Sequence, residues 1–270
     1  ALDAKADPNS VHPKTGATPL VAAAHLGHQD ILQLLLDYKA QPNLAPHTGF
    51  CAVYIAAGKG HCEVVSALVE ARGDINLPVP GTGEAALFAA LRGKPLVDSM
   101  VRLVVELGAD CAAESTKGVT PLGLAVQRDA PDEVVELLLE KKASPTHVCA
   151  TGQTLVHQVC LKAGDHKCAA TLSRLVDLGA DVNHPHGRTG QTGLHLAAGA
   201  KNGEAALTVL LGVDADPNHP DNEGVTPLDV AVGKGHVENA RLLVGCERFK
   251  WAMGTTVLHV ATARGHLGMA

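Results

Sequence analysis

The feature that most constrains the fold of this chain is a repeated segment with a period near 34 residues. The stretch GATPLVAAAHLGHQDILQLLLDYKAQPN, from Gly16 to Asn43, returns as GFCAVYIAAGKGHCEVVSALVEARGDIN, from Gly49 to Asn76. The position of Thr18 recurs at Cys51, Ala85, Thr120, Thr154, Thr192, Thr226 and Thr256, at steps of 33, 34, 35, 34, 38, 34 and 30 residues. Such a period is typical of one supersecondary unit stacked on copies of itself rather than of a single globular core.

Each copy predicts two short helices. Thr18, Thr120 and Thr226 are placed as N-caps, and a proline follows each of them at the first helical position. Glycines after the first apolar run predict left-handed C-caps at Gly27, Gly60, Gly235 and Gly265. The second helix has apolar residues three and four apart, as in Ile31, Leu34 and Leu35. Cys51 and Ala85 lack the capping hydroxyl, so we expect their helices to begin less firmly.

The period, the Thr-Pro starts, the Gly-His pairs and tails such as LGADVN (Leu178 to Asn183) together resemble the ankyrin-repeat family. The resemblance implies an all-α solenoid of stacked helix-turn-helix units with protruding β-turn or hairpin loops, in one array over residues 1–270. AKADPN (Ala4 to Asn9) matches the tail of a repeat that starts before Ala1. The predicted segments are a repeat tail at 1–12, full repeats at 13–45, 46–79, 80–114, 115–148, 149–186, 187–220 and 221–250, and a partial repeat at 251–270. Repeat five carries extra residues within 162–171, and repeat seven is short within 245–254.

Composition excludes several classes of function. Hydrophobic residues make up 46% of the chain but aromatic residues only 2%, which favours thin, closely packed helices. A net charge of −6 is unlike a nucleic-acid binder, and no apolar run is long enough to span a membrane. The seven cysteines are odd in number and irregularly spaced, so we expect free thiols in a reducing compartment, the cytoplasm or also the nucleus.

Fifteen histidines raise the question of metal binding or catalysis. Seven of them occupy repeat positions, among them His157 and His195, where the resemblance implies hydrogen bonds to loop backbone. The best alternative is a metal cluster of His157, Cys160, His166 and Cys168, of which two are ordinary repeat positions. The sequence has no P-loop, His-Glu-x-x-His or Gly-x-Ser-x-Gly motif. We therefore expect no enzyme activity, no cofactor and no metal.

The resemblance places partner binding on a concave face, formed by the turn tips and the ends of the inner helices. Carried onto this chain, that face holds Lys14, Phe50, Lys59, Arg92, Lys117, Arg128, Lys162, Arg188, Lys234 and Arg264. Acidic residues such as Glu63 and Glu133 gather instead on the outer helices. The helix macrodipole is an alternative cause of this separation, since it favours cations at helix C-termini. Either cause predicts a basic groove for an acidic or phosphorylated protein segment, with Phe50 as an apolar anchor.

The function predicted from the sequence is a non-catalytic protein–protein interaction module or scaffold that binds another protein or peptide, as a monomeric array. The alternative is the cytosolic ankyrin region of a larger membrane channel or multidomain enzyme. A further expectation concerns modification: Asn76 and Asn183 each follow a Leu by eight residues and an acid by two, a pattern found at hydroxylated ankyrin asparagines.

Overall fold

The computed structural model describes residues 7–14, 16–45, 49–128, 130–149, 152–164 and 167–250. These residues form fourteen helices in seven pairs, and each predicted full repeat contains one pair. The helices are α1 (Pro19–Leu26), α2 (Gln29–Asp37), α3 (Ala52–Lys59), α4 (Cys62–Glu70), α5 (Ala86–Arg92), α6 (Asp98–Glu106), α7 (Pro121–Gln127), α8 (Asp132–Glu140), α9 (Leu155–Cys160), α10 (Cys168–Asp177), α11 (Gly193–Ala198), α12 (Glu204–Gly212), α13 (Pro227–Lys234) and α14 (Val237–Val244).

The predicted helix starts are confirmed. Thr18, Thr120 and Thr226 are N-caps in extended conformation, and each hydroxyl accepts a hydrogen bond from a backbone N–H in the first turn. Cys51 and Ala85 are N-caps that form no side-chain capping hydrogen bond, as expected for residues without a hydroxyl. Threonine hydroxyls therefore cap α1, α7 and α13, whereas α3 and α5 begin without a side-chain cap.

The predicted ends of three inner helices are also confirmed. Gly27, Gly60 and Gly235 have φ angles of 73°, 81° and 74°, and their N–H groups bond back to the last helical turn. At Gly27 a Cβ atom would lie 2.8 Å from the ring of His61. Both the positive φ angle and this close contact therefore favour glycine at the position. Gly265 lies outside the described residues.

The chain divides into two compact units, Ala1–Ser144 and Pro145–Ala270. In unit 1 the inner helices α1, α3, α5 and α7 pack in chain order, and the outer helices α2, α4, α6 and α8 form a second layer. In unit 2 the inner helices α9, α11 and α13 pack in the same way beside the outer helices α10, α12 and α14. Within each unit, consecutive repeats therefore contact one another, as in a stacked array.

Small and aliphatic side chains fill the core of each unit. Ala24, Ala56 and Ala57 are almost completely buried where neighbouring inner helices approach, and Leu32 and Leu68 are the completely buried residues of the outer helices α2 and α4. On α2 the buried residues are Leu32 and Leu35, whereas Ile31 and Leu34 are about half exposed. The sequence predicted Ile31, Leu34 and Leu35 as the apolar face of this helix, and that prediction is wrong for Ile31 and Leu34. The small inner-helix residues explain why so few aromatic residues are needed.

Two histidines join consecutive repeats in unit 2, as predicted. The Nδ1 atom of His157 accepts a hydrogen bond from the Thr154 N–H at 3.2 Å, and its Nε2–H donates to the Gln191 carbonyl, 34 residues away, at 2.9 Å. His195 makes the same two bonds, with Thr192 and with Val225. The ring must be neutral to accept at Nδ1 and donate at Nε2. Burial lowers the pKa of both rings, which agrees with that requirement.

The only β-type pairing in the described residues is an antiparallel bridge between Val148 and Thr154. Within the same residues, no helix has the length and apolar character needed to cross a membrane. The structure of the described chain is thus all-α with loops between the helices, which confirms the predicted fold class.

Candidate functional site

The C-terminal ends of the inner helices in unit 1 present a row of cations. Lys59 is the last residue of α3, Arg92 is the last residue of α5 and Arg128 is the C-cap of α7, and all three side chains are exposed. We call these residues the basic row. Lys14 and Lys117 lie exposed in the turns before α1 and α7. Cations at these positions interact favourably with the partial negative charge of a helix C-terminus.

Arg92 is already engaged within the protein. Its Nη2 and Nε atoms donate to the two carboxylate oxygens of Glu84, at 2.6 and 3.1 Å, in a bidentate pair. The Glu84 side chain is mostly buried and the Arg92 side chain is half exposed. The hydrogen bond with Glu84 is the largest of the effects that raise the pKa of Arg92 above its ordinary value. The sequence predicted Arg92 as an open cation, and it did not predict this partner, which stands eight residues earlier in the turn.

Phe50 is better packed than the sequence suggested. Its ring stacks on Tyr54 with a centroid distance of 5.1 Å and an interplanar angle of 28°, and it is partly buried. Burial, followed by the negative charge of Glu84, raises the pKa of Tyr54. Phe50, Tyr54, Glu84 and Arg92 therefore form one cluster, which we call the aromatic cluster, at the rim of repeats two and three.

The predicted binding residues of unit 2 lie in turns and at the end of an inner helix. Lys162 is partly buried in the turn after α9, and Arg188 is exposed in the turn before α11. Lys234, the last residue of α13, donates from Nζ to the Gly199 carbonyl of the preceding repeat at 2.9 Å. Arg264 lies outside the described residues.

The alternative metal cluster is not assembled in the part of the chain that is described. No group of three or more His, Cys, Asp or Glu side chains there is arranged to hold a metal ion, while His166 lies outside it. Cys160 is completely buried, and burial raises the pKa of its thiol well above the ordinary value. Cys168 donates a weak hydrogen bond from Sγ to the Val159 carbonyl. These thiols pack as small apolar side chains.

Comparison with solved structures shows the same fold. The crystal structure of the human ASB11 ankyrin repeat domain matches with a TM-score of 0.69 and 26% identity, and covers 87% of this chain and 100% of that one. The ankyrin repeat domain of Bcl-3 matches with a TM-score of 0.71 at 22% identity, over 85% of this chain and 99% of that domain.

Among curated proteins, the chicken nuclear factor NF-kappa-B p105 subunit is 33% identical over 53% of this chain and 14% of its own length. The human SH3 and multiple ankyrin repeat domains protein 2 is 27% identical over 90% of this chain and 11% of its own length. The chain thus spans about a seventh or less of these relatives. The repeats described here are of the type that forms protein–protein interaction modules.

The family model for ankyrin repeats matches residues 1–79, 159–251 and 194–270, which together make up more than half of the chain. The helix pairs, their glycine and threonine caps and the histidine bonds between repeats agree with that match. The chain belongs to the ankyrin-repeat family.

Proposed function

We propose that this chain is a non-catalytic recognition module that binds an acidic or phosphorylated segment of a partner protein on its concave face. The observation that carries the proposal is the basic row, in which three successive repeats of unit 1 place an exposed cation at the C-terminal end of the inner helix, either as its last residue or as its C-cap. The net charge of the chain is −6, so this row is a local exception to the charge of the molecule. A local field of that kind steers an anionic partner and fixes its register.

The spacing of the basic row defines the ligand further. Packed helices lie about 8–10 Å apart, and an extended peptide advances about 3.3 Å per residue. A segment that runs across α3, α5 and α7 would therefore meet one cation with every third residue. Among the described residues, Lys59 and Arg128 form no ion pair, whereas Arg92 is held by Glu84. We infer that Lys59 and Arg128 contribute most of the attraction, with the aromatic cluster lying between them and offering apolar contact.

The test uses a fluorescein-labelled peptide in which every third residue is phosphoserine, with serine in the same positions as a control peptide. Lys59→Glu combined with Arg128→Glu should weaken binding of the phosphopeptide by at least about tenfold in fluorescence anisotropy, and the loss should shrink as salt screens the charges. The matched control is Arg102→Glu combined with Lys141→Glu, which makes the same change in net charge at exposed positions outside the row. Equal losses in the two variants, or equal binding of both peptides, would contradict the proposal.

A second proposal concerns the protein as a whole. The ARF GTPase-activating protein GIT1 of human is 46% identical to 28% of this chain, and the match covers only 10% of that protein. This supports the alternative that the repeats are the cytosolic ankyrin region of a larger membrane channel or multidomain enzyme. The compartment we propose is the cytoplasm, or also the nucleus. Sequencing of the complete transcript tests it, and localisation of the tagged full-length protein tests the compartment.

A further inference from the structure

Unit 2 contains a pocket of about 130 Å³ between the inner helices α9 and α11 and the turn before α11, which we call the α9–α11 pocket. The residues that line it are Gln153, His157, Leu161, His186, Thr189, Gln191 and Leu196. Pockets that bind small molecules usually measure about 300–1,000 Å³, so this one has room for a single side chain of a larger ligand. None of these seven lining residues was among the binding residues predicted from the sequence.

Leu161 gives the α9–α11 pocket an apolar wall that is open to solvent. Its side chain is 62% exposed, the highest value among the large apolar residues of the described chain. Seven residues after the next N-cap threonine of unit 2 the chain has Gly199 instead, and there Lys234 donates from Nζ to the Gly199 carbonyl at 2.9 Å. A Cβ atom on Gly199 would lie 2.9 Å from that nitrogen, so the lysine covers the position.

The residue that would cover Leu161 in the same way is Ala200, because it follows its N-cap threonine by eight residues, as Lys234 does. An alanine side chain is too short to reach across to the neighbouring inner helix. The α9–α11 pocket is therefore open because alanine stands where the next repeat has lysine.

The turn before α11 supplies hydrogen-bond donors and a cation to the rim of the pocket. The His186 Nδ1 atom accepts from the Arg188 N–H at 3.3 Å, so the neutral ring carries its proton on Nε2 and is a donor there. The Arg188 side chain is exposed in the same turn. The carboxylate that Gln191 contacts, Asp221, already accepts two backbone N–H groups of its own turn. This rim is therefore suited to an acidic group.

We propose that the α9–α11 pocket is an anchor site for one aliphatic side chain of a partner protein segment, with an acidic residue next to the anchor. The exposed wall of Leu161 and the half-buried Leu196 bury the aliphatic side chain, and apolar area removed from water stabilises the complex. Arg188 and the His186 ring attract the acidic neighbour, which selects among apolar segments. The inference rests on the proposed function only in that the ligand is a protein segment, and it needs no residue of the basic row.

A phage-displayed library of random peptides, selected on the protein, tests which side chain the pocket takes. Enriched peptides should share Leu, Ile or Met beside Asp or Glu. In fluorescence anisotropy, replacement of the aliphatic residue of such a peptide by alanine should weaken binding by at least about tenfold, as for an anchor residue. Replacement of the acidic residue by lysine should also weaken binding, and that loss should shrink as salt screens the charges.

Two variants test whether these peptides bind in the α9–α11 pocket. Leu161→Ala removes the exposed wall, and Ala200→Gln adds a side chain of nearly the length of Lys234 without its charge; each should weaken binding by at least about tenfold. The matched control is Leu178→Ala, which truncates another exposed leucine of unit 2, at the C-cap of α10, and should leave the affinity unchanged.

The proposal is overturned if no peptide is enriched, if the enriched peptides lack the aliphatic and acidic pair, or if Leu161→Ala and Leu178→Ala have equal effects. It is also overturned if the protein forms a dimer that Ala200→Gln dissociates, since the occupant would then be a second copy. All of these variants lie in unit 2. The pocket can therefore fail this test while the basic row binds the phosphopeptide, and it can pass when the basic row does not.

Discussion

At the scale of single residues, the asparagine of the repeat tail is the side chain that most directly links one repeat to the next. Asn76 donates from Nδ2 to the Gly108 carbonyl at 3.0 Å and accepts from the Asp110 N–H at 2.8 Å. Asn183 makes the equivalent bonds with Asp214 and Asp216. In the repeat after Asn76 the same position is Ala112. The tail asparagine therefore satisfies two backbone groups that the loop would otherwise leave to solvent.

Replacement of this side chain tests its contribution to stability. Asn76→Ala removes both hydrogen bonds, and we expect a loss of about 1–3 kcal/mol in the free energy of unfolding of unit 1, measured in urea. Asn202→Ala is the control, because Asn202 is exposed in the turn before α12 and should change stability by less than about 0.5 kcal/mol. Equal effects of the two substitutions would show that the tail bonds contribute nothing. Hydroxylation of Asn76 and Asn183 stays a prediction, and mass spectrometry of the native protein would test it.

Single-residue roles could be predicted where they depend on neighbours close in sequence. The threonine caps and the glycine C-caps depend on residues within one turn, so the sequence indicated them correctly. The bidentate pair of Arg92 with Glu84 and the stacking of Phe50 on Tyr54 depend on how the turn folds back on the inner helix. A pattern of residue types does not fix that geometry, and the concave-face residues were therefore predicted as a set of separate side chains.

At the scale of helices, the strength of the N-cap differs among inner helices that are otherwise alike. Cys51 adopts the same extended conformation as Thr18 and is equally buried, but its side chain forms no capping hydrogen bond. The phase of the outer helices shows the limit of sequence reasoning at this scale. Apolar residues at Ile31, Leu32, Leu34 and Leu35 fit more than one face, and contact with neighbouring repeats decides which of them is buried.

Restoring the missing hydroxyl should stabilise α3. We expect Cys51→Thr to add about 1 kcal/mol to helix stability, because the threonine oxygen can accept from the first-turn N–H groups as Thr18 does. Hydrogen exchange of the α3 amides should slow by about fivefold. The reverse substitution, Thr120→Cys, should speed the exchange of α7 by a similar factor. If Cys51→Thr leaves α3 unchanged, the thiol already acts as an adequate cap.

At the scale of the whole molecule, the two units differ in the residue three positions after the inner-helix N-cap. Unit 1 has Tyr54 and Phe88 at this position in α3 and α5, whereas unit 2 has His157 and His195 in α9 and α11. The sequence predicted the histidine bonds, because the residue type and the repeat position together define them. It did not predict that the two buried histidines that link repeats, His157 and His195, would both lie in unit 2.

This difference predicts that acid destabilises unit 2 selectively. The ordinary histidine pKa is 6.5, and burial lowers the pKa of His157 and His195 in the folded state. Between the lowered pKa and 6.5 the unfolded chain binds more protons, so stability falls as the pH drops through 6.5 and levels off below the folded pKa. The groups with shifted pKa in unit 1, Cys51, Tyr54, Arg92 and Cys111, are all shifted upward from 9.0 or higher, so none titrates in this range.

Hydrogen exchange at several pH values, corrected for the intrinsic rate, measures both units in one sample. Below pH 6.5 the protection of α9 and α11 should decrease, while that of α3 and α5 stays constant. His157→Gln combined with His195→Gln should lower the stability of unit 2 at neutral pH, because hydrogen bonds are lost, and should flatten its dependence on pH. A parallel decrease in both units, or an unchanged slope in the double variant, would assign the acid sensitivity to other groups. A flattened slope would show that neutral imidazole rings hold the repeats of unit 2 together.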